Sequence, residues 1–174
     1  MKRALLVLAI FMAQTPVALS ETEGAQEPVI SRFSGKPVPR FETLRWAEVN
    51  GRVGPSLNSP IAWRYNRKGL PVLIIKESGE WRHVRDPAGD EVWVHQRMLE
   101  TASTGWVMRP ALMKDGPARD AGSVAEIEAG VLVQIDSCQE VVCRVRAGGY
   151  RGWMERAKLW GTGPVEIRPA ATNG

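Results

Sequence analysis

The sequence predicts an all-β fold: two tandem small antiparallel barrels behind a signal peptide and a flexible leader. Three observations lead there. Short β-rich runs are separated by turn residues, the same order of runs occurs twice, and the flanking segments lack periodic apolar residues.

The first twenty residues, MKRALLVLAIFMAQTPVALS, read as a secretory signal. Lys2 and Arg3 form a basic n-region, and the apolar core Ala4 to Ala13 is short for a bilayer span. Small residues before Ser20 suit a signal peptidase, so Glu21 is the expected new N-terminus. The alternative is an uncleaved anchor. No later stretch reaches transmembrane length, so no membrane span is expected after cleavage.

Without residues 1–20 the chain keeps 21 basic and 19 acidic residues, a net charge of +2. The bases are spread along the chain, which argues against nucleic-acid binding. Residues 21–42 are rich in Pro, Gly and Glu and read as a flexible leader; residues 163–174 read as a similar tail.

The repeat sets the domain plan. Residues 53–55 fall over 115–117, and 69–75 near 130–135. Trp81–Arg85 falls on Val142–Arg146, and Val92–Val94 on Gly152–Met154. The offset drifts only from 62 to 60, as loop-length changes between related units would produce. The expected units are residues 43–101 and 102–162. Val72–Ile75, Trp81–Arg85 and Val92–His95 read as strands, with Ser78-Gly79 and Asp86–Gly89 as turns. Ala121–Ala129 has helical composition, but its register with the first unit makes it a loop followed by a short strand.

The ordered string Arg52–Ser56, Gly69–Val72, Glu80–Val84, Trp93–His95 and Leu99 resembles bacterial Src-homology-3-type (SH3-like) domains. The second copy resembles them again through Gly116-Pro117, Glu128–Gly130, Cys143–Val145, Gly152-Trp153 and Leu159–Gly161. The resemblance implies a barrel of five to six strands in each copy. It also implies an envelope location and binding of cell-wall material or peptides. Two positions depart from the pattern: Val92 stands where Gly is expected before the Trp, and Val142 where Trp is frequent.

Cys138 and Cys143 are the only cysteines. Two thiols do not complete a four-ligand zinc site, and His83 and His95 lie in the other copy. Four intervening residues do not make a Cys-x-x-Cys redox motif. Export and an even count favour a disulfide, and residues 139–142 as a hairpin loop would set the two directly opposite. At the same positions the first copy has Glu77 and Arg82, an expected exposed cross-strand ion pair.

Trp93 and Trp153 occupy equivalent strand positions and are expected in the cores. Trp160 is expected to close a barrel or the face between the copies. Trp63 and Tyr65, beside Arg64 and Arg67, fall in the expected loop Ser56–Lys68 and have no aromatic counterparts in the second copy. An aromatic pair interleaved with arginines suits stacking on a sugar or a proline-rich peptide. Trp81 joins this candidate ligand-binding set if exposed. Neither a Gly-x-Ser-x-Gly nucleophile motif, a paired-His metal motif nor a phosphate loop occurs. The expectation is a periplasmic or secreted non-enzymatic binding module without cofactor or metal. Its expected ligand is peptidoglycan or a peptide; the alternatives are an envelope protein-interaction adaptor and, last, a cell-wall hydrolase.

Overall fold

The computed structural model describes residues 29–163. The expected signal peptide, the first part of the expected leader and the tail beyond Gly163 lie outside the described residues. A small hairpin comes first, β1 (Val29–Ile30) with β2 (Pro37–Val38). Then come β3 (Arg40–Leu44), β4 (Val49–Arg52), β5 (Ile61–Tyr65), β6 (Pro71–Ser78), β7 (Trp81–Arg85), β8 (Glu91–His95) and β9 (Leu99–Thr101). They form one seven-stranded antiparallel sheet in the order β5-β4-β8-β7-β6-β3-β9. The second unit has β10 (Thr104–Val107), β11 (Ala111–Lys114), β12 (Ser123–Ile127), β13 (Leu132–Cys138), β14 (Val142–Ala147), β15 (Tyr150–Glu155) and β16 (Leu159–Trp160). Its order, β12-β11-β15-β14-β13-β10-β16, matches the first strand for strand. Seven strands per unit, not five to six, result because the β4–β5 and β11–β12 arms pair as strands. The Ala121–Ala129 segment is indeed a loop and the strand β12.

The two copies agree in their irregularities too. Register shifts fall between Gly51 and Arg52 and between Met113 and Lys114, and again between Ile74 and Lys76 and between Ile135 and Ser137. A 3-10 turn, Gln96–Met98 or Arg156–Lys158, precedes the last strand of each. Alternation along the strands builds two separate cores. Val84, Val92 and Val94 point into the first; Cys143, Val145 and Met154 point into the second.

At one core position the copies exchange large for small. Gly51 on β4 stands against Val92 on β8, where a Cβ on Gly51 would lie 2.5 Å from Val92 Cγ2. In the second copy Met113 on β11 takes the place of Gly51, and Gly152 on β15 takes the place of Val92. A Cβ on Gly152 would lie 2.6 Å from Met113 Cγ. Val92 therefore departs from the expected glycine because the glycine has moved to the facing strand.

The flexible leader is corrected over residues 29–42. Arg40–Leu44 is a barrel strand paired with both β6 and β9. The residues before it are bound to the barrel by a charge cluster. The Glu77 carboxylate accepts from Ser31 Oγ (2.5 Å), Ser34 Oγ (3.0 Å) and Arg40 Nη1 (2.7 Å), and pairs with Arg82 Nε at 3.2 Å. Glu77 and Arg82 face each other across β6 and β7, at the positions where the second copy pairs Cys138 with Cys143. The ion pair is not exposed as expected: its side chains are only 1% and 3% accessible, because the β1–β2 hairpin covers them. Burial alone would raise the Glu77 pKa. The hydrogen bonds from Ser31, Arg40 and Ser34 and the Arg82 charge outweigh it and hold the carboxyl below its ordinary value.

Cys138 and Cys143 form the disulfide, with Cα atoms 4.0 Å apart. Gln139 N–H donates to Val142 O at 2.8 Å and closes the hairpin between them.

The barrels touch. Thr104 Oγ1 donates to Gly69 O at 2.5 Å, and Arg67 Nη1 to Gly130 O at 2.9 Å. The Arg67 guanidinium lies 5.1 Å from the Trp106 ring centroid, and Trp160 packs edge-on to Phe41 at 5.2 Å. Trp160 thus serves the face between the copies.

Candidate ligand-binding surface

On a strand, residues flanking an inward valine face outward. In the run VWVH at 92–95, Val92 and Val94 are core, so Trp93 and His95 lie on the outer sheet face. Trp153 is outside for the same reason, between buried Gly152 and Met154. Neither tryptophan is a core residue, and that expectation is corrected. The alternation was present in the sequence, and the aromatic character of the side chains hid it.

The outer face of the first barrel carries a ladder across β7 and β8. Trp81 pairs with His95, His83 with Trp93, and Arg85 with Glu91. The His83 and Trp93 rings stack with centroids 4.8 Å apart, and Trp81 meets His95 edge-on at 5.3 Å. Across β4, β8, β7 and β6 the row reads Arg52, Trp93, His83, Lys76. Burial lowers the His83 pKa; Glu91 opposes this, while the charges of Lys76 and Arg85 reinforce it. The imidazole stacked on Trp93 is therefore neutral at neutral pH.

The second barrel repeats the row as Lys114, Trp153, Arg144, Ser137. Here the tryptophan borders a groove of about 590 Å³ between the β11–β12 arm and the disulfide hairpin. Pro110, Pro117 and Val141 give it apolar walls, and the cations Lys114, Arg119 and Lys158 line it against one carboxylate, Glu155. A flat or apolar group lying on Trp153 would have cations within reach of its carboxylates.

The residues expected from sequence do not form one site. Ile61–Tyr65 is a strand, not a loop, and the proposed pair differs in burial along it. Trp63 is exposed. Tyr65 is a core residue, 4% accessible, whose hydroxyl donates to Asp86 Oδ2 at 3.3 Å. Its pKa is raised by burial first and by the Asp86 charge next, so it stays a neutral phenol. It is corrected as a ligand contact because it packs into the core opposite buried Val49, whereas Trp63, on the same strand face but nearer the tip of the arm, is left uncovered. Arg64 Nε donates to Asn50 Oδ1 at 3.3 Å on the solvent side. Arg67 is drawn away to Gly130 and Trp106 of the second barrel. Trp81 is half-buried and joins the ladder instead. Among the described residues no group of three or more His, Cys, Asp or Glu side chains could hold a metal ion. No helix there is long and apolar enough to cross a membrane.

Two small antiparallel β-barrels stand in tandem, each with an outward tryptophan in a cross-strand row that also holds cations. The bacterial SH3 domain model matches residues 46–100 and again 107–161, and the chain belongs to that family. Domains of this family are commonly cell-wall binding modules and are typically extracellular or envelope-associated. No curated protein matches the chain. Similar solved structures include NlpC2 of Trichomonas vaginalis, at 19% identity and a TM-score of 0.33, covering 70% of this chain and 48% of that one. NlpC1 of the same organism is similar at 19% identity and a TM-score of 0.33, covering 76% and 48%. The chain spans about half the length of those structures.

Proposed function

We propose that the protein is an exported, non-enzymatic binding module of the bacterial cell envelope that recognises peptidoglycan through its peptide stems. The observation that carries this reading is the Trp153 groove, with apolar walls and three cations. Stem peptides combine small apolar side chains with free carboxylates, and that is the complement such a groove offers. The Trp93–His83 stack gives the first barrel a flatter surface of the same kind, so two weak contacts on one chain can add by avidity. The family membership agrees with cell-wall binding.

The test is co-sedimentation with purified sacculi. Trp153→Ala together with Trp93→Ala removes an aromatic anchor from each barrel and should weaken retention by about tenfold or more, as truncation of a central aromatic contact does. Retention equal to wild type would place the ligand elsewhere. Capture of a periplasmic protein with no sacculus binding would make the protein an adaptor. Release of soluble muropeptides by the pure protein would make it a hydrolase. Mass spectrometry of exported protein should show a start at Glu21.

A further inference from the structure

The β4–β5 hairpin of the first barrel has no role in the site above. Its apolar side chains face water: Val53 is 61% accessible, Leu57 73%, Ile61 44% and Trp63 49%. This projection is built rather than loose. Val53 N–H donates to Pro60 O at 3.1 Å, Arg52 Nη1 to Ser59 O at 2.6 Å, and Ser59 N–H to Ser56 O at 3.2 Å. β5 lies at the end of its sheet, paired only with β4 among the described strands.

The chain that builds the hairpin carries charge of one sign. Between Glu48 and Glu77 the chain has no acidic residue and five basic ones, Arg52, Arg64, Arg67, Lys68 and Lys76. The bases are shared by both units, but only the first has a long stretch free of acid. The matching residues 111–137 of the second barrel carry Lys114 and Arg119 against Asp115, Asp120, Glu126, Glu128 and Asp136. One backbone arm occurs twice, once basic with apolar side chains displayed and once acidic.

We infer that the β4–β5 hairpin docks on an anionic phospholipid surface, with Leu57, Trp63 and their apolar neighbours entering the headgroup region and Arg52 and Arg64 against the lipid phosphates. Trp at the interface and basic residues beside it are the features that hold peripheral proteins on charged bilayers. A second copy is a poor occupant, since it would set the Arg52 and Arg64 cations of one chain against those of the other. A rigid soluble polymer would leave the apolar side chains in water.

The test is sedimentation with vesicles, using the chain without residues 1–20, whose apolar run would itself insert. Vesicles of phosphatidylcholine with a quarter phosphatidylglycerol should bind the protein at low salt. Pure phosphatidylcholine vesicles should bind it about tenfold more weakly, and added salt should weaken the anionic case. Leu57→Asp with Trp63→Ala should reduce binding by about tenfold or more. Val124→Asp, on the matching arm of the second barrel, should leave it unchanged. All three side chains are exposed, so the melting temperature should hold and serve as the folding control. No binding to anionic vesicles, or equal binding by the Leu57/Trp63 variant, overturns the inference. So does a dimer in sedimentation velocity that the same variant dissolves, because the hairpin then meets a second copy. Loss of sacculus binding in this variant without vesicle binding by wild type would assign the hairpin to the wall. Sacculus binding lost only through Trp93 and Trp153 concerns the other surface.

Discussion

The exchange of glycine between facing strands predicts a reciprocal rescue. In the second barrel Gly152 leaves room for Met113; in the first, Gly51 leaves room for Val92. Carbon atoms in contact sit about 3.5–4.0 Å apart. A Cβ on Gly152 would come to 2.6 Å from Met113 Cγ and would also press on the Lys114 carbonyl oxygen. Gly152→Val should therefore cost about 3 kcal/mol, the upper end for overpacking, because one obstacle is backbone. Met113→Gly empties a fully buried site and should cost about 3–5 kcal/mol, as large-to-small core changes do. The double variant recreates the Gly51–Val92 combination of the first barrel. It should be more stable than the sum of the single costs allows by about 2 kcal/mol or more, within the coupling range of residues in contact. For a domain of this size that returns about 8–16 °C of melting temperature. Thermal and urea unfolding followed by tryptophan emission would read it, with the unaltered first barrel as internal reference. A double variant no more stable than additivity requires would refute the exchange.

Two further outcomes concern the β6–β7 and β13–β14 hairpins. Glu77→Gln leaves Arg82 buried without its charge partner and should cost the first barrel about 3–5 kcal/mol. Because the fold holds the Glu77 carboxyl below its ordinary pKa, its contribution is present above the ordinary carboxylate range and is lost as pH falls through the depressed value. The wild-type advantage over Glu77→Gln should therefore shrink in acid, and melts from neutral to strongly acidic pH would show an unchanging gap if this is wrong. Reduction of Cys138–Cys143 should cost the second barrel about 2 kcal/mol for so short a loop, with the first barrel's melt unmoved.

Most of the fold was legible because it was written twice. The repeat in residues 53–101 and 115–161 carried strand order, turns and the β12 assignment against its helical composition. The disulfide followed from hairpin spacing and the expected export. The leader misled because Ser31, Ser34 and Arg40 are bound through Glu77, a partner some forty residues away, and composition does not register a long-range pairing. The candidate site was read least well. Loop composition between Ser56 and Lys68 concealed a strand that sets Trp63 and Tyr65 on one face but reaches the core only at Tyr65, a difference in burial that depends on how far the arm projects from the barrel. At Trp93 and Trp153 the alternation stands in the sequence, with inward Val92 and Val94 or Gly152 and Met154 on either side, but a large aromatic side chain suggests core. Arg67 was recognisable as an exposed cation, yet nothing local marked Trp106 and Gly130 as its destination.

Duplication holds both copies to one backbone and lets their surfaces and fastenings part. Where Gly51 and Val92 become Met113 and Gly152, the core change is compensated across facing strands. The hairpin that needs fastening is the same in each copy, and the fastenings differ in chemistry. The second copy uses a covalent link that asks nothing of the rest of the chain. The first uses a buried ion pair, and a buried ion pair is stable only when its remaining hydrogen-bonding capacity is filled. Ser31, Ser34 and Arg40 fill it, so the same carboxylate that pins β6 to β7 also holds the β1–β2 hairpin on the barrel. A disulfide at Glu77 and Arg82 would release that hairpin, and an ion pair at Cys138 and Cys143 would lack the cover it needs. The two fastenings are therefore not interchangeable, and acid and reductant loosen different barrels.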